Sequence, residues 1–191
     1  MGFTERFRAA AEAARAELAD GGIIARAEAI HGVDTIGPRD DDIEVASYAM
    51  ACGAPDPYTL ITWDEIVALT GIPVGRPILT YADDDLGIRY DAQDGNHRVW
   101  SFGVHAGHAV DDRTPFDPAS WYQWMVDLLD DPEPVPGLGD AAVYERGLLY
   151  VRAGRHAYYV QVDVPEGSPA RLWATRIGRR VLERLRSGEA G

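Results

Sequence analysis

The clearest hydrophobic pattern in the chain is an alternation of apolar and polar residues over 158–164, in the segment YYVQVDV. A period of two is typical of a strand with one buried face. The apolar run 148–151 precedes it, and 152–156 is a glycine-containing connection of hairpin length. Residues 141–144 follow a rigid turn rich in proline and glycine. Together these segments predict a three-stranded antiparallel meander.

Three further strands are indicated upstream. The segment 78–81 follows Arg76-Pro77, and proline next to a strand is tolerated mainly at a sheet edge. Residues 86–90 and 97–105 flank Asp94-Gly95, a dipeptide typical of a tight hairpin turn. We therefore predict an edge strand followed by a hairpin.

Three helices carry clear boundary signals. The segment 62–65 has the sequence of a capping box and Gly71 is a left-handed stop, so a helix is predicted over 63–70. Asp117 and Pro118 open a second helix over 118–130, which is expected to bury Trp121 and Trp124. A third helix is predicted over 169–186, with one apolar stripe surrounded by arginines.

The N-terminal part is predicted to be helical. Residues 3–19 form an alanine-rich amphipathic pattern that ends at a glycine pair, and helical segments are also indicated over 23–30 and 41–52. Phe3 and Phe7 would allow a membrane-surface or partner contact, but packing on the chain's own domain is the simpler interpretation. We predict an α+β fold, with a helical N-terminal arm over 1–54 and, over 55–187, an antiparallel sheet of five to seven strands flanked by helices.

Three segments carry a resemblance to a known family: PVPGLGD (134–140), LLYVRAG (148–154) and DPYTLITWDEIVALTG (56–71). They resemble a group of small actinobacterial domains of unknown function, many of which are lipoproteins or sensor ectodomains with a PsbP-like fold. The resemblance implies a PsbP-like fold over about 56–186 and brings no catalytic residues with it. The chain departs from the family in having Tyr58 beside Asp-Pro where relatives usually carry a cysteine, and in having no lipidated cysteine.

Charge is distributed unevenly along the chain. The net charge is −13, and all 18 basic residues are arginine. Residues 40–145 hold 21 acidic and 4 basic residues, whereas 146–191 hold 9 arginines against 4 acidic residues. The overall balance argues against nucleic acid as a main partner, because phosphate binding needs clustered positive charge.

The single cysteine and the hydropathy pattern indicate the compartment. Cys52 alone can form neither an internal disulfide nor a thiolate metal cluster. The first residues lack a charged-then-apolar leader pattern, and no apolar run approaches the roughly 20 residues that span a bilayer. We therefore expect a cytoplasmic protein without a transmembrane segment.

The best metal-like cluster is His105 and His108 with Asp111. Zinc needs three or four converging ligands. If these side chains converged on a metal, a small metal-dependent hydrolase would be one alternative function. Positions i and i+3 of a strand face opposite sides, so convergence requires Gly107 to turn the chain. A strand end that enters a polar loop is the simpler interpretation, and we predict no metal or other cofactor.

Two other sets could contact a ligand or a partner. Bidentate guanidinium groups could hold an anion or an acidic partner, although balancing the acidic middle of the chain is the simpler use. The arginines concerned are Arg152, Arg155, Arg176 and Arg180. An aromatic pocket between sheet and helices could hold a small ligand, although burial in the core is the simpler use; this set is Trp100, Phe102, Trp121, Trp124, Tyr158 and Trp173.

No catalytic constellation stands out from the sequence. We therefore predict a non-enzymatic cytoplasmic binding or protein-interaction module, with another protein or a small ligand as its partner. An acidic immunity-type inhibitor that masks a basic toxin is a concrete version, because opposite charge accelerates association.

Overall fold

The computed structural model describes residues 52–82, 85–93, 99–109 and 114–188, with Ala49, Met50 and scattered positions between 8 and 30. Its strands form a seven-stranded antiparallel sheet in the order β1-β2-β3-β7-β6-β5-β4. The strands are β1 (Pro77–Ala82), β2 (Asp85–Gln93), β3 (Val99–Ala106), β4 (Glu133–Pro134), β5 (Ala141–Glu145), β6 (Leu148–Ala153) and β7 (His156–Asp163). The predicted α+β fold with an antiparallel sheet is confirmed, and β1 is an edge strand as expected.

Between residues 52 and 188, the described helical elements are a 3-10 helix (Pro57–Thr59), α1 (Trp63–Thr70), α2 (Pro118–Asp127) and α3 (Ala170–Gly188). Helix α1 has the predicted bounds, because Thr62 and Glu65 form the reciprocal capping box and Gly71 ends the helix at φ +73°. Helix α2 is shorter than the predicted 118–130. The backbone N–H groups of Asp130 and Asp131 donate to the Glu145 carboxylate instead of continuing the helix.

The central pairing joins two meanders. Strands β1–β3 form one and β4–β7 the other, and β3 pairs with β7 so that Val104 lies opposite Val160. The chain therefore leaves the middle of the sheet after β3, crosses through α2 to the far edge at β4, and returns strand by strand to the middle. Strand β4 was not predicted, because its sequence Glu133-Pro134 reads as part of a turn.

The main core lies between the sheet and α3. On this side, here called the α3 face, the central strands present fully buried apolar side chains, including Ile88, Phe102, Leu149 and Val160. A Cβ at Gly178 of α3 would lie 2.7 Å from Leu149 Cδ2, so glycine lets the helix approach the strand closely. The Tyr158 hydroxyl donates to the Gly178 carbonyl at 2.6 Å. Burial raises the pKa of Tyr158, so the hydroxyl remains a donor.

The opposite side, here called the α2 face, carries a row of stacked rings. His105 lies parallel to Tyr159 with ring centroids 4.6 Å apart. Tyr150 lies 5.5 Å from Tyr159 and 6.5 Å from Trp121 of α2. A Cβ at Gly87 would lie 2.6 Å from His105 Nδ1, so the imidazole occupies the space that a side chain on the neighbouring strand would need.

The N-terminal predictions lie mostly outside the described residues. The described positions Arg8, Ala9, Ala25 and Ile30 are helical, but the bounds of the predicted helices are not described. Ala49 is fully buried in the main core, and Met50 packs against it. The predicted Asp94-Gly95 turn is also outside the described residues, although the pairing of β2 with β3 that it implies is present.

Candidate functional site

The six aromatic residues predicted to form one pocket lie on two sides of the sheet. Phe102 and Tyr158 are fully buried on the α3 face, where the Phe102 ring contacts the Trp173 ring edge-on at 6.0 Å. Trp100 packs against the same core, whereas Trp121 and Trp124 lie on α2 over the opposite face. The set therefore does not line one cavity, because the strand alternation and the path through α2 place the sheet between its members.

Helix α2 also differs from its predicted orientation. Trp124 is 55% exposed, so the prediction that α2 buries both tryptophans is wrong for this residue. At about 100° per residue, an arc containing Trp121, Tyr122 and Met125 faces the sheet. Trp124 falls outside that arc, together with Leu128, which is 64% exposed.

The four candidate arginines occupy separate places. Arg152 lies on the α2 face of β6, whereas Arg155 is exposed in the β6–β7 turn and borders a cavity. On α3, Arg176 donates to the Leu69 carbonyl at 3.3 Å, and Arg180 donates to Glu65. The structure does not bring the four side chains together around one anion.

Two arginines of α3 instead hold the carboxylate of Glu65. Arg180 Nε donates to it at 2.6 Å and Arg184 Nη2 at 2.9 Å, while the Thr62 backbone N–H donates at 2.8 Å. Burial alone would raise the pKa of Glu65, but the hydrogen bonds from Arg184, Thr62 and Arg180 outweigh it and hold the pKa below its usual value. This network joins α1 to α3 and has a structural role.

The predicted histidine site is divided between two environments. His105 and His108 are both buried, and His105 is stacked on Tyr159 in the ring row of the α2 face. His108 Nδ1 lies 3.5 Å from the Ala106 carbonyl oxygen. Asp111 lies outside the described residues. Within the described ranges no three histidine, cysteine, aspartate or glutamate side chains are grouped so that they could hold a metal.

The outer side of α2 is the feature that the sequence patterns did not single out. Trp124 and Leu128 are four residues apart and therefore neighbours on the helix surface. They are two of the three large apolar side chains with high exposure in the described part of the chain; the third is Leu172 on α3, at 48%. Leu172 lies in the first turn of α3 next to Arg171, whereas Trp124 and Leu128 are one helical turn apart at the C-terminal end of α2.

Acidic residues are frequent in the sequence around this pair. Residues 114–145 contain seven acidic residues and no basic residue. Asp117, Asp127 and Asp131 are exposed, and Asp127 lies next to Leu128 in the chain. The Ser120 side chain and the Ala119 backbone N–H donate to Asp117 and lower the pKa of its carboxyl, which stays ionised. We call Trp124, Leu128 and these three aspartates the α2 patch.

The candidate site receives no assignment from known proteins. Searches of family models, curated proteins and solved structures found no match to this chain. The resemblance to PsbP-like actinobacterial domains therefore stays a prediction. In the part of the chain that is described, no helix combines the length and apolar character needed to cross a bilayer.

Proposed function

We propose that this protein is a non-enzymatic protein-interaction module that binds a basic segment of a partner protein through the α2 patch. The observation that carries the proposal is the exposed pair Trp124 and Leu128, which lies in an acidic segment of the chain. Tryptophan is among the residues most enriched at the centres of protein interfaces, where a rim of polar groups excludes water.

The chemistry of the patch supports a basic partner. The apolar pair offers an anchor for an aliphatic or aromatic side chain. Exposed carboxylates of Asp117, Asp127 and Asp131 would pair with lysine or arginine on the incoming segment and steer its approach. An acidic inhibitor that masks a basic protein is the version of this function that best fits the patch and the net charge of −13.

The rest of the fold supports the patch as a rigid platform. The inner side of α2 rests on the ring row through Trp121, and Tyr122 is buried. Just after the C-terminal end of α2, the backbone N–H groups of Asp130 and Asp131 donate to the Glu145 carboxylate. A partner would therefore meet a helix whose two ends are already fixed, which lowers the entropy that binding must overcome.

Site-specific photo-crosslinking tests the proposal. Benzoylphenylalanine is placed at position 124 in the full chain, expressed in the native host, and the crosslinked protein is identified by mass spectrometry. The same residue at position 172 is the matched control, because Leu172 is similarly exposed but lies on α3, next to Arg171. We expect one basic protein to be captured at 124 and not at 172.

The captured protein is then titrated against purified variants. Trp124→Ala should weaken binding by at least about 2 kcal/mol, roughly a thirtyfold rise in Kd, and Leu172→Ala should leave the Kd unchanged. Kd should also rise with salt concentration. Capture of an acidic protein, equal capture at both positions, or a Kd insensitive to Trp124→Ala would refute the proposal.

A further inference from the structure

The arginines of α3 fall into two groups that differ in their partners. The helix carries six arginines and one acidic residue, Glu183. Three of the arginines donate to carboxylates elsewhere in the fold: Arg171 to Glu133, and Arg180 and Arg184 to Glu65 at 2.6 and 2.9 Å. These three therefore balance acidic residues from the middle of the chain.

The other three arginines, Arg176, Arg179 and Arg186, are exposed on the outer side of α3, and we call them the arginine row. Arg176 donates to the Leu69 backbone carbonyl at 3.3 Å, which is a neutral acceptor. Glu183 lies between Arg179 and Arg186 in the chain, but its carboxylate accepts from Arg180 at 3.0 Å. Among the described residues, therefore, no carboxylate forms an ion pair with a member of the row.

The fold presents the row in a fixed arrangement. At about 100° and about 1.5 Å per residue, the three arginines fall within an arc of about 80° and extend over about 15 Å of the helix axis. Helix α3 cannot rotate to hide them, because its other side is buried. Arg186 lies in the last turn, where positive charge favours the helix, but Arg176 and Arg179 are like charges three residues apart and slightly disfavour it. The stability of α3 therefore does not account for the row.

We infer that the arginine row binds an acidic segment of a partner protein. Guanidinium groups pair with carboxylates through two parallel hydrogen bonds, and these charge-assisted contacts are stronger than neutral ones. The net charge of −13 favours a short segment over a wide anionic surface. A membrane or a nucleic-acid duplex would also bring its charge close to the many carboxylates of the chain, whereas a short segment can lie along the row alone.

The arginine row is independent of the α2 patch. Helix α3 packs on one side of the sheet and α2 on the other, so the strands lie between the two surfaces. One protein would therefore be able to hold a basic segment on one side and an acidic segment on the other, as an adaptor between two partners does.

A fluorescently labelled peptide of ten glutamates is the probe, and a peptide of ten serines is the neutral control. Anisotropy titration of the full chain should show saturable binding of the acidic peptide at one site per chain, which weakens as salt increases, and no binding of the serine peptide. Binding of a polyanion to a chain with a net charge of −13 requires a locally positive surface, so overall attraction between protein and peptide does not produce it.

The double variant Arg176→Gln/Arg179→Gln should raise the Kd of the acidic peptide at least about tenfold. The matched control is Arg89→Gln/Arg146→Gln, which removes the same charge from two exposed arginines that already pair with aspartates. This control should change the Kd less than about twofold. Denaturant unfolding checks that both variants are folded, which is expected because all four side chains are exposed.

Three results would overturn the inference. These are no saturable binding of the acidic peptide up to about millimolar concentration, equal weakening by the two double variants, and tighter binding of phosphatidylserine vesicles or duplex DNA than of the peptide. Trp124→Ala should leave the Kd of the acidic peptide unchanged, because α2 lies on the other side of the sheet. Failure of the arginine row can therefore be told apart from failure of the α2 patch.

Discussion

Replacing Glu65 by glutamine should loosen the contact between α1 and α3. The carboxylate, whose side chain is 18% exposed, accepts from Arg180, Arg184 and the Thr62 backbone N–H. Glutamine removes the charge and turns an NH₂ group toward one of these donors. Hydrogen bonds to charged groups contribute about 1.5–3 kcal/mol, so the variant should lose about 2–3 kcal/mol of unfolding free energy, or roughly 5–10 °C in Tm.

Chemical denaturation at pH 7, followed by tryptophan fluorescence, measures this loss. Glu183→Gln is the matched control, because Glu183 is 56% exposed and accepts from Arg180 on the same helix. An exposed pair of this kind contributes about 0.5 kcal/mol or less. A double-mutant cycle between Glu65 and Arg184 should give a coupling of about 1–2 kcal/mol.

The pH dependence provides an independent check of the same network. The pKa of Glu65 is lowered in the folded protein, so its contribution is fully present above the unfolded pKa of about 4.3 and is lost as pH falls through the folded pKa. The difference between wild type and Glu65→Gln should therefore shrink below about pH 4. A variant that matches Glu183→Gln at pH 7, or a difference that persists at low pH, would refute the reasoning.

Three other substitutions test the packing around the sheet, each by denaturant unfolding. Gly178→Ala should cost about 1–3 kcal/mol, because its Cβ would lie 2.7 Å from Leu149 Cδ2; an unchanged midpoint would mean that α3 can shift freely. Tyr158→Phe removes a buried donor to the Gly178 carbonyl and should cost about 1–2 kcal/mol, and stabilisation would contradict that hydrogen bond. Glu145→Ala leaves the Asp130 N–H without its carboxylate and should cost about 1–3 kcal/mol, whereas no loss would show that the loop after α2 does not need this anchor.

Local signals in the sequence were sufficient to predict most of the helices and strands. The capping box of Thr62 and Glu65 and the stop at Gly71 gave the bounds of α1, because a cap acts within a few residues of chain. The alternation over 158–164 gave β7 for the same reason, since period-two burial follows directly from strand geometry. The end of α2 was misplaced because it depends on Glu145, a residue of a later strand.

The sequence by itself determined the fold class, the strand directions within each hairpin, and the net charge. Only the tertiary structure decided that β3 pairs with β7, because residues far apart in the chain meet there and no local pattern specifies the pairing. That pairing and the crossing through α2 separate Trp121 and Trp124 from the aromatic core, and they leave Trp124 exposed. The same long-range arrangement brings Cys52, Arg155 and Arg184 to one cavity, since each comes from a different part of the chain.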